Sequence, residues 1–171
     1  MTEVILVDET DNEIGTMEKL TAHQVAVLHR AISVFLFNDK DEILLQRRAS
    51  DKYHSGGLWT NTCCSHPYPG EATQAAAYRR LKEEMGVICD LEPVFNFIYK
   101  ANLDHDLIEH ELDHVFIGRF NGIPKPNTDE VMDWKYMAID DLQIDVEVHP
   151  EKYTAWFKIC LNQVLTNLTR I

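Results

Sequence analysis

The sequence predicts an α/β (α+β) fold in which a mixed β-sheet is packed between helices, and three observations carry that prediction. Residues 30–37 form a β-branched and aromatic run, a polar turn follows at 38–41, and a second apolar run occupies 43–46, so the two runs read as a hairpin. Residues 71–85 bring Gln74, Tyr78, Leu81 and Met85 round at helical spacing, with Gly86 placed to stop the helix. After Pro150, residues Tyr153, Trp156, Phe157, Cys160, Leu161, Val164 and Leu168 recur in the same way. Two helices with one apolar side each need a surface to bury it on, and a sheet offers two faces.

Taken in order, Val4 to Val7, a turn cluster at 8–12 and then Ile14, Gly15 and Thr16 make a small N-terminal hairpin. Residues 18–29 start polar and lead into the first long strand, with His23 and His29 flanking the apolar Val25, Ala26, Val27 and Leu28. A loop and the following strand then carry the two imidazoles. A lone histidine beside an apolar segment is ordinarily structural, but neutral imidazole is also the commonest metal ligand. The segment RRASDKY sets Arg48 and Lys52 near a strand end. Such a run is usually a solvated loop, and its alternative use is to grip phosphate, Arg by its planar fork and Lys as a point charge.

Residues 59–66, WTNTCCSH, read as a short strand ended by Pro67, Pro69 and Gly70. Side chains alternate along a strand, so Cys64 and His66 share a face and Cys63 points to the other. On the helix that follows, Arg80 and Glu84 lie together beside the apolar side, Glu84 at the edge of the buried seam and Arg80 nearer water. Beyond it, VFNFIYKAN is a strand bearing Tyr99, residues 102–106 are an exposed turn, and IEHELDHVFIGRF is a strand that aims Glu109 and Glu111 to one side and His110 to the other. Burying two carboxylates in an otherwise apolar run is costly without a cation, and a metal removes that cost. VMDWKYMAI makes a last strand, and Asp140 and Asp141 open a short helix. There is no internal repeat.

The 171 residues, 45% of them hydrophobic, suit one domain spanning 1–171. The net charge of -12 is dispersed, without a basic patch, which argues against a nucleic-acid partner. An acidic chain also repels anions at long range, so a phosphate site must be built from particular cations. Four cysteines, no C-x-x-C spacing and no basic, apolar leader indicate a reducing cytoplasm and no structural zinc knuckle. No apolar run approaches the roughly 20 residues needed to span a bilayer.

Aligned on Gly86, the central helix matches Glu71, Arg79, Leu81, Glu83, Glu84 and Gly86 of the Nudix box. Ser65 stands where the box begins with glycine, and Arg80 stands where a Glu belongs. That altered box, with WTNTCCSHP, RRASDK, the pair His23 and His29, and the EHE triplet at Glu109, resembles type I isopentenyl diphosphate isomerase. The resemblance runs from about Gly15 to Trp156 and implies a single Nudix-like catalytic domain, a Nudix-like mixed sheet between helices. It implies isomerisation of isopentenyl diphosphate to dimethylallyl diphosphate through a carbocation, in isoprenoid biosynthesis.

By the same resemblance, His23, His29, His66, Glu109 and Glu111 bind one divalent metal, Zn, Mn or Mg, and magnesium bridges the substrate diphosphate to Glu84. Lys19, Arg48, Lys52 and Arg80 form the anion site. Cys64 and Glu111 are the proton-transfer pair, with the order of their action left open, Tyr99 hydrogen-bonds the reacting carboxylate, and Trp156 faces the cation. Trp156 on its spacing alone is a core residue. The implied partner is a small isoprenoid diphosphate, with no nucleic acid, no membrane and a monomer or weak homodimer. A Nudix hydrolase of nucleoside diphosphate derivatives is the alternative enzyme; it keeps Glu83 and Glu84 but gives Cys64, the histidines and Glu109 no role. A metal-binding regulator without catalysis gives no role to Cys64 or the cations. His54, His105, His110, His114 and His149 match no ligand position and are expected on the surface or in loops.

Overall fold

The computed structural model describes residues 2–170, and its centre is a mixed sheet. Strands β1 (Glu3–Val7) and β2 (Glu13–Glu18) form the N-terminal hairpin, and helix α1 (Lys19–Val25) leads to β3 (His29–Phe37). β4 (Glu42–Arg48), β5 (Trp59–Thr60) and β6 (Cys63–Ser65) precede helix α2 (Thr73–Met85), and β7 (Glu92–Asn102), β8 (Ile108–Arg119) and β9 (Val131–Ala138) follow it. The chain closes with α3 (Ile139–Val148) and α4 (Ala155–Asn167). β8 runs parallel to β3, pairing His29 with Glu111 and Phe37 with Arg119, while β7 lies antiparallel to β8.

The expected hairpin of β3 and β4 is real at its tip, where Leu36 pairs with Leu44 and Phe37 with Ile43. The strands then part. β6 takes the place beside β3, pairing Cys64 with Ser33, while β4 continues against β9 and β5. This separation is why residues 59–66 form two short strands rather than one. Asn61 and Thr62 fill the gap: the Asn61 amide donates to the carbonyls of Val34 and Cys63, and the Thr62 hydroxyl donates to that of Leu44 while accepting from the Leu36 amide. Both residues are fully buried, so these bonds satisfy backbone groups that the parted strands leave open.

Alternation along β3 and β8 splits the core by face. Ile32, Val34, Leu36 and Phe116 pack with Ala76, Ala77, Leu81 and Met85 of α2. Phe35, Phe37, Val115 and Ile117 pack with Trp156, Phe157, Cys160 and Val164 of α4 and with Leu142 of α3. The sheet is therefore covered by helices on both faces.

Two expectations about helices need correction. The buried side of α2 consists of Ala76, Ala77, Leu81, Glu84 and Met85, whereas Gln74 and Tyr78 are exposed. Alanines let the helix approach the sheet closely, and Gln74 and Tyr78 instead bond the carbonyl and amide of Leu91. The segment before β3 is not a loop but α1, capped by the Glu18 carboxylate on the amides of Leu20 and Thr21 and ended by Ala26 in the left-handed region. Gly86 ends α2 as expected: its φ is +63°, and a Cβ there would collide with the Lys125 carbonyl.

Candidate metal and anion site

α1, β3, β6 and β8 converge on one buried group of side chains. His23 and His29 each set Nδ1 against a backbone carbonyl, Lys19 at 2.7 Å and Val27 at 2.9 Å. A carbonyl only accepts, so both rings carry their proton on Nδ1 and present a bare Nε2. Both Nε2 atoms are buried without a hydrogen-bond partner, as is Nδ1 of His66. The Nε2 atoms of His66, His29 and His23 stand 2.8, 3.4 and 3.9 Å from Glu111 Oε1. Donor atoms of His23, His29, His66 and Glu111 all lie within 4.8 Å of one another. Burial holds His23 below the usual imidazole range and pushes His66 down to about 3, so these rings are neutral, as metal ligands must be. This His/Glu cluster suits a divalent metal.

Glu109, expected in the same set, instead groups with His23 and His54. Tyr99 ties the two acids together, its hydroxyl 2.8 Å from Glu109 Oε2 and 2.6 Å from Glu111 Oε2. One hydroxyl has one proton, so one carboxyl must supply the other. Burial, with Glu111 adjacent, pushes Glu109 well up. Burial works the same way on Glu111, but His66, hydrogen-bonded to it at 2.8 Å, outweighs it and holds Glu111 well down.

The cations line the same pocket as this cluster: Lys19, Arg48, Lys52 and Arg80 surround it, with Glu84 beside them. Burial lowers Lys19, and Lys52, Arg48 and Arg80 lower it further by repulsion. Cations gathered against their own repulsion make an anion site. Glu84 is engaged on both oxygens, by Arg80 at 2.6 Å and Gln46 at 3.0 Å. Lys52 pairs with Glu130, a residue without a motif to mark it in the sequence.

Cys64 lines the pocket with His66, and Cys63 is buried on the α2 side, as the alternation requires. Burial pushes the Cys64 thiol well up, so it is neutral at ordinary pH. Trp156 is both core and pocket wall: it packs in the α4 cluster, lines the site, and has Arg48 5.2 Å from its ring. Its indole N–H lies 3.3 Å from the Asn61 side-chain oxygen.

His54 is the main correction. It is not on the surface but 3% exposed in the pocket wall, with Nε2 3.6 Å from Glu109 Oε1. The sequence signal was its place inside RRASDKYHSGGLW, directly after two of the anion-site residues. His105 and His149 are exposed, whereas His110 and His114 are half-buried and bonded to the Ala26 carbonyl and to Asp11.

Comparison with known proteins agrees with this architecture. The NUDIX domain family matches residues 27–157. Isopentenyl-diphosphate Delta-isomerase 2 of Aromatoleum aromaticum is 52% identical, over 96% of this chain and 87% of the relative. Isopentenyl-diphosphate Delta-isomerase of Pectobacterium atrosepticum is also 52% identical, over 96% of this chain and 92% of its own length. A crystal structure from Deinococcus radiodurans shares the fold at 17% identity with a TM-score of 0.73, over 86% of this chain and 90% of that one. With this fold and these relatives, the chain belongs to the isopentenyl-diphosphate Delta-isomerase family, built on a NUDIX domain.

Proposed function

We propose that this chain, acting as a single catalytic domain, interconverts isopentenyl diphosphate and dimethylallyl diphosphate. The observation that carries the reading is the meeting, in one pocket, of a neutral thiol, a carboxylate pair bridged by Tyr99, and four cations. Isomerisation adds a proton to the terminal methylene of the alkene, leaving a tertiary carbocation, and removes a proton from the carbon on its diphosphate side. An unactivated alkene is a weak base, so the acid must be positioned and water excluded. Cys64 and Glu111 form the proton-transfer pair. Tyr99 hydrogen-bonds to Glu111 and can relay its proton.

Trp156 turns an electron-rich ring to the cation, worth about 2 kcal/mol when desolvated. Lys19, Arg48, Lys52 and Arg80 hold the diphosphate. His23, His29, His66, Glu109 and Glu111 hold one divalent ion, Zn, Mn or Mg, whose charge fixes the orientation of Glu111. Glu84, which accepts from Arg80 and Gln46, would hold the magnesium that accompanies the diphosphate. The enzyme acts on a small isoprenoid diphosphate in the cytoplasm, as a monomer or weak homodimer, without nucleic acid or membrane. Its four free cysteines support a reducing compartment. No described helix is long and apolar enough to cross a membrane.

Hydrolysis at the box has less support. Glu71 is paired with Arg79 and Glu83 with Arg79 and Arg80, so two of the acids that would gather metal around a pyrophosphate are already neutralised. Incubation with isopentenyl diphosphate and magnesium, in parallel with a nucleoside diphosphate panel, tests the choice. The allylic product without phosphate release is expected; phosphate release from the panel with the alkene unchanged would replace the isomerase by the hydrolase.

A further inference from the structure

His54 has a buried ring and no role in the reading above. Its Nδ1 lies 3.1 Å from Ser55 Oγ, and an N–H donated there leaves the Nε2 lone pair facing inward. What it faces is Glu109 Oε1 at 3.6 Å, too long for a hydrogen bond. His23 Nε2, itself without a partner, completes a trio whose donor atoms all lie within 4.8 Å of one another. With the His54 proton on Nδ1, two imidazole lone pairs and a carboxyl group converge. A cation satisfies all three.

The loop that carries His54 is built to aim it there. Ser55 has a φ of +53°, unfavourable for a side chain, and its amide donates to Asp104 Oδ1 at 2.8 Å. Next in the chain, Gly56 passes so near Ser50 that a Cβ would collide with the Ser50 carbonyl. The His54 carbonyl accepts from Arg48 at 3.1 Å, and its ring packs edge-on to Trp156 with centroids 5.8 Å apart. Strain held in place by contacts to Asp104, Ser50, Arg48 and Trp156 at a pocket wall points to use of the side chain.

His23 belongs to both donor groups, and one Nε2 lone pair serves one ion. The two groups are then halves of a single centre, and Glu109 joins its donor set in the half that contains His54. We propose that His54 is a sixth ligand of the divalent metal, completing a set of four imidazoles and two carboxylates. The inference rests on the metal site proposed above. It also narrows the ion: four nitrogen donors favour zinc or iron over magnesium, which prefers oxygen.

Proton NMR of the cobalt(II)-loaded protein tests this by counting rings. Each imidazole bound through one nitrogen leaves a paramagnetically shifted N–H on the other, which disappears in deuterium oxide. Four such resonances are expected in the unaltered protein. His54→Phe, which keeps an aromatic ring against Trp156, should show three and lose at least about tenfold in cobalt affinity. Three resonances in both proteins would overturn the inference and leave His54 as an outer neighbour of Glu109, with the metal centre intact. Cobalt that shifts no imidazole proton in the unaltered protein would overturn the metal centre itself. The unaltered protein's count decides the matter even if the variant does not fold.

Discussion

At the scale of single residues, environment divides chemically similar groups. Cys63 and Cys64 are neighbours in the chain, yet one is sealed under α2 and the other borders the pocket with His66. Cys64→Ala removes only a sulfur from a site whose donors lie elsewhere. Its kcat should fall about 10²–10⁴-fold, the range for a positioned acid or base, while metal content by atomic emission stays at the wild-type level. Loss of metal together with activity would make Cys64 structural. Glu109 and Glu111 are divided in the same manner: burial beside Glu111 pushes Glu109 up, while His66, hydrogen-bonded to Glu111, holds Glu111 down. Glu111→Gln should lower both metal content and turnover, because the amide cannot offer a negative oxygen to an ion held with His23, His29 and His66. Retained wild-type activity would remove Glu111 from the mechanism.

At the scale of elements, how much could be read beforehand depended on whether a segment's pattern was local. Strands β3 and β8 and helix α4 were legible because an apolar run, or apolar residues at helical spacing, persists in elements of nine or more residues. Helix α1 was not, since it spans 7 residues and is capped by a Glu rather than by one of the short side chains that usually mark a helix start. The break between β5 and β6 was hidden as well, because Asn61 and Thr62 bond to strands about twenty residues away or more in sequence, and the run itself resembles one strand. The phase of α2 was misread because alanines, not the larger Gln74 and Tyr78, face the sheet. Gly86 was read correctly, since a helix stop is a local matter. Gly86→Ala should cost about 1–3 kcal/mol, the usual penalty for a side chain forced into the left-handed region, with the Lys125 contact adding to it. Urea unfolding measures this, and an unchanged midpoint would contradict the tight C-terminus of α2.

At the scale of the whole molecule, the sheet brings together residues from both ends of the chain, with α1, β3, the end of β6 and β8 supplying the metal donors and α2, β4 and α4 the rest of the pocket. Composition shows a charge of -12 and conceals the local gathering of Lys19, Arg48, Lys52 and Arg80. Motif resemblance located most of these residues, but not His54 or Glu130, whose positions become meaningful only once the loop after β4 folds against β8 and α2. Because the metal donors come from four separate elements, an ion that binds only the folded chain should stabilise it in proportion to its affinity. Chelation should lower the thermal midpoint, and added zinc or manganese should restore it. An identical midpoint with and without chelator would separate the cluster from metal binding.

The central claim is that one pocket moves a proton onto the substrate and another off it, with a divalent ion in place. Proton NMR of isopentenyl diphosphate in deuterated buffer, with metal-loaded and chelator-stripped protein side by side, tests it most directly. Dimethylallyl diphosphate carrying solvent deuterium should form in the loaded sample alone. An unchanged substrate spectrum with metal content confirmed, or equal turnover in the stripped sample, would contradict it.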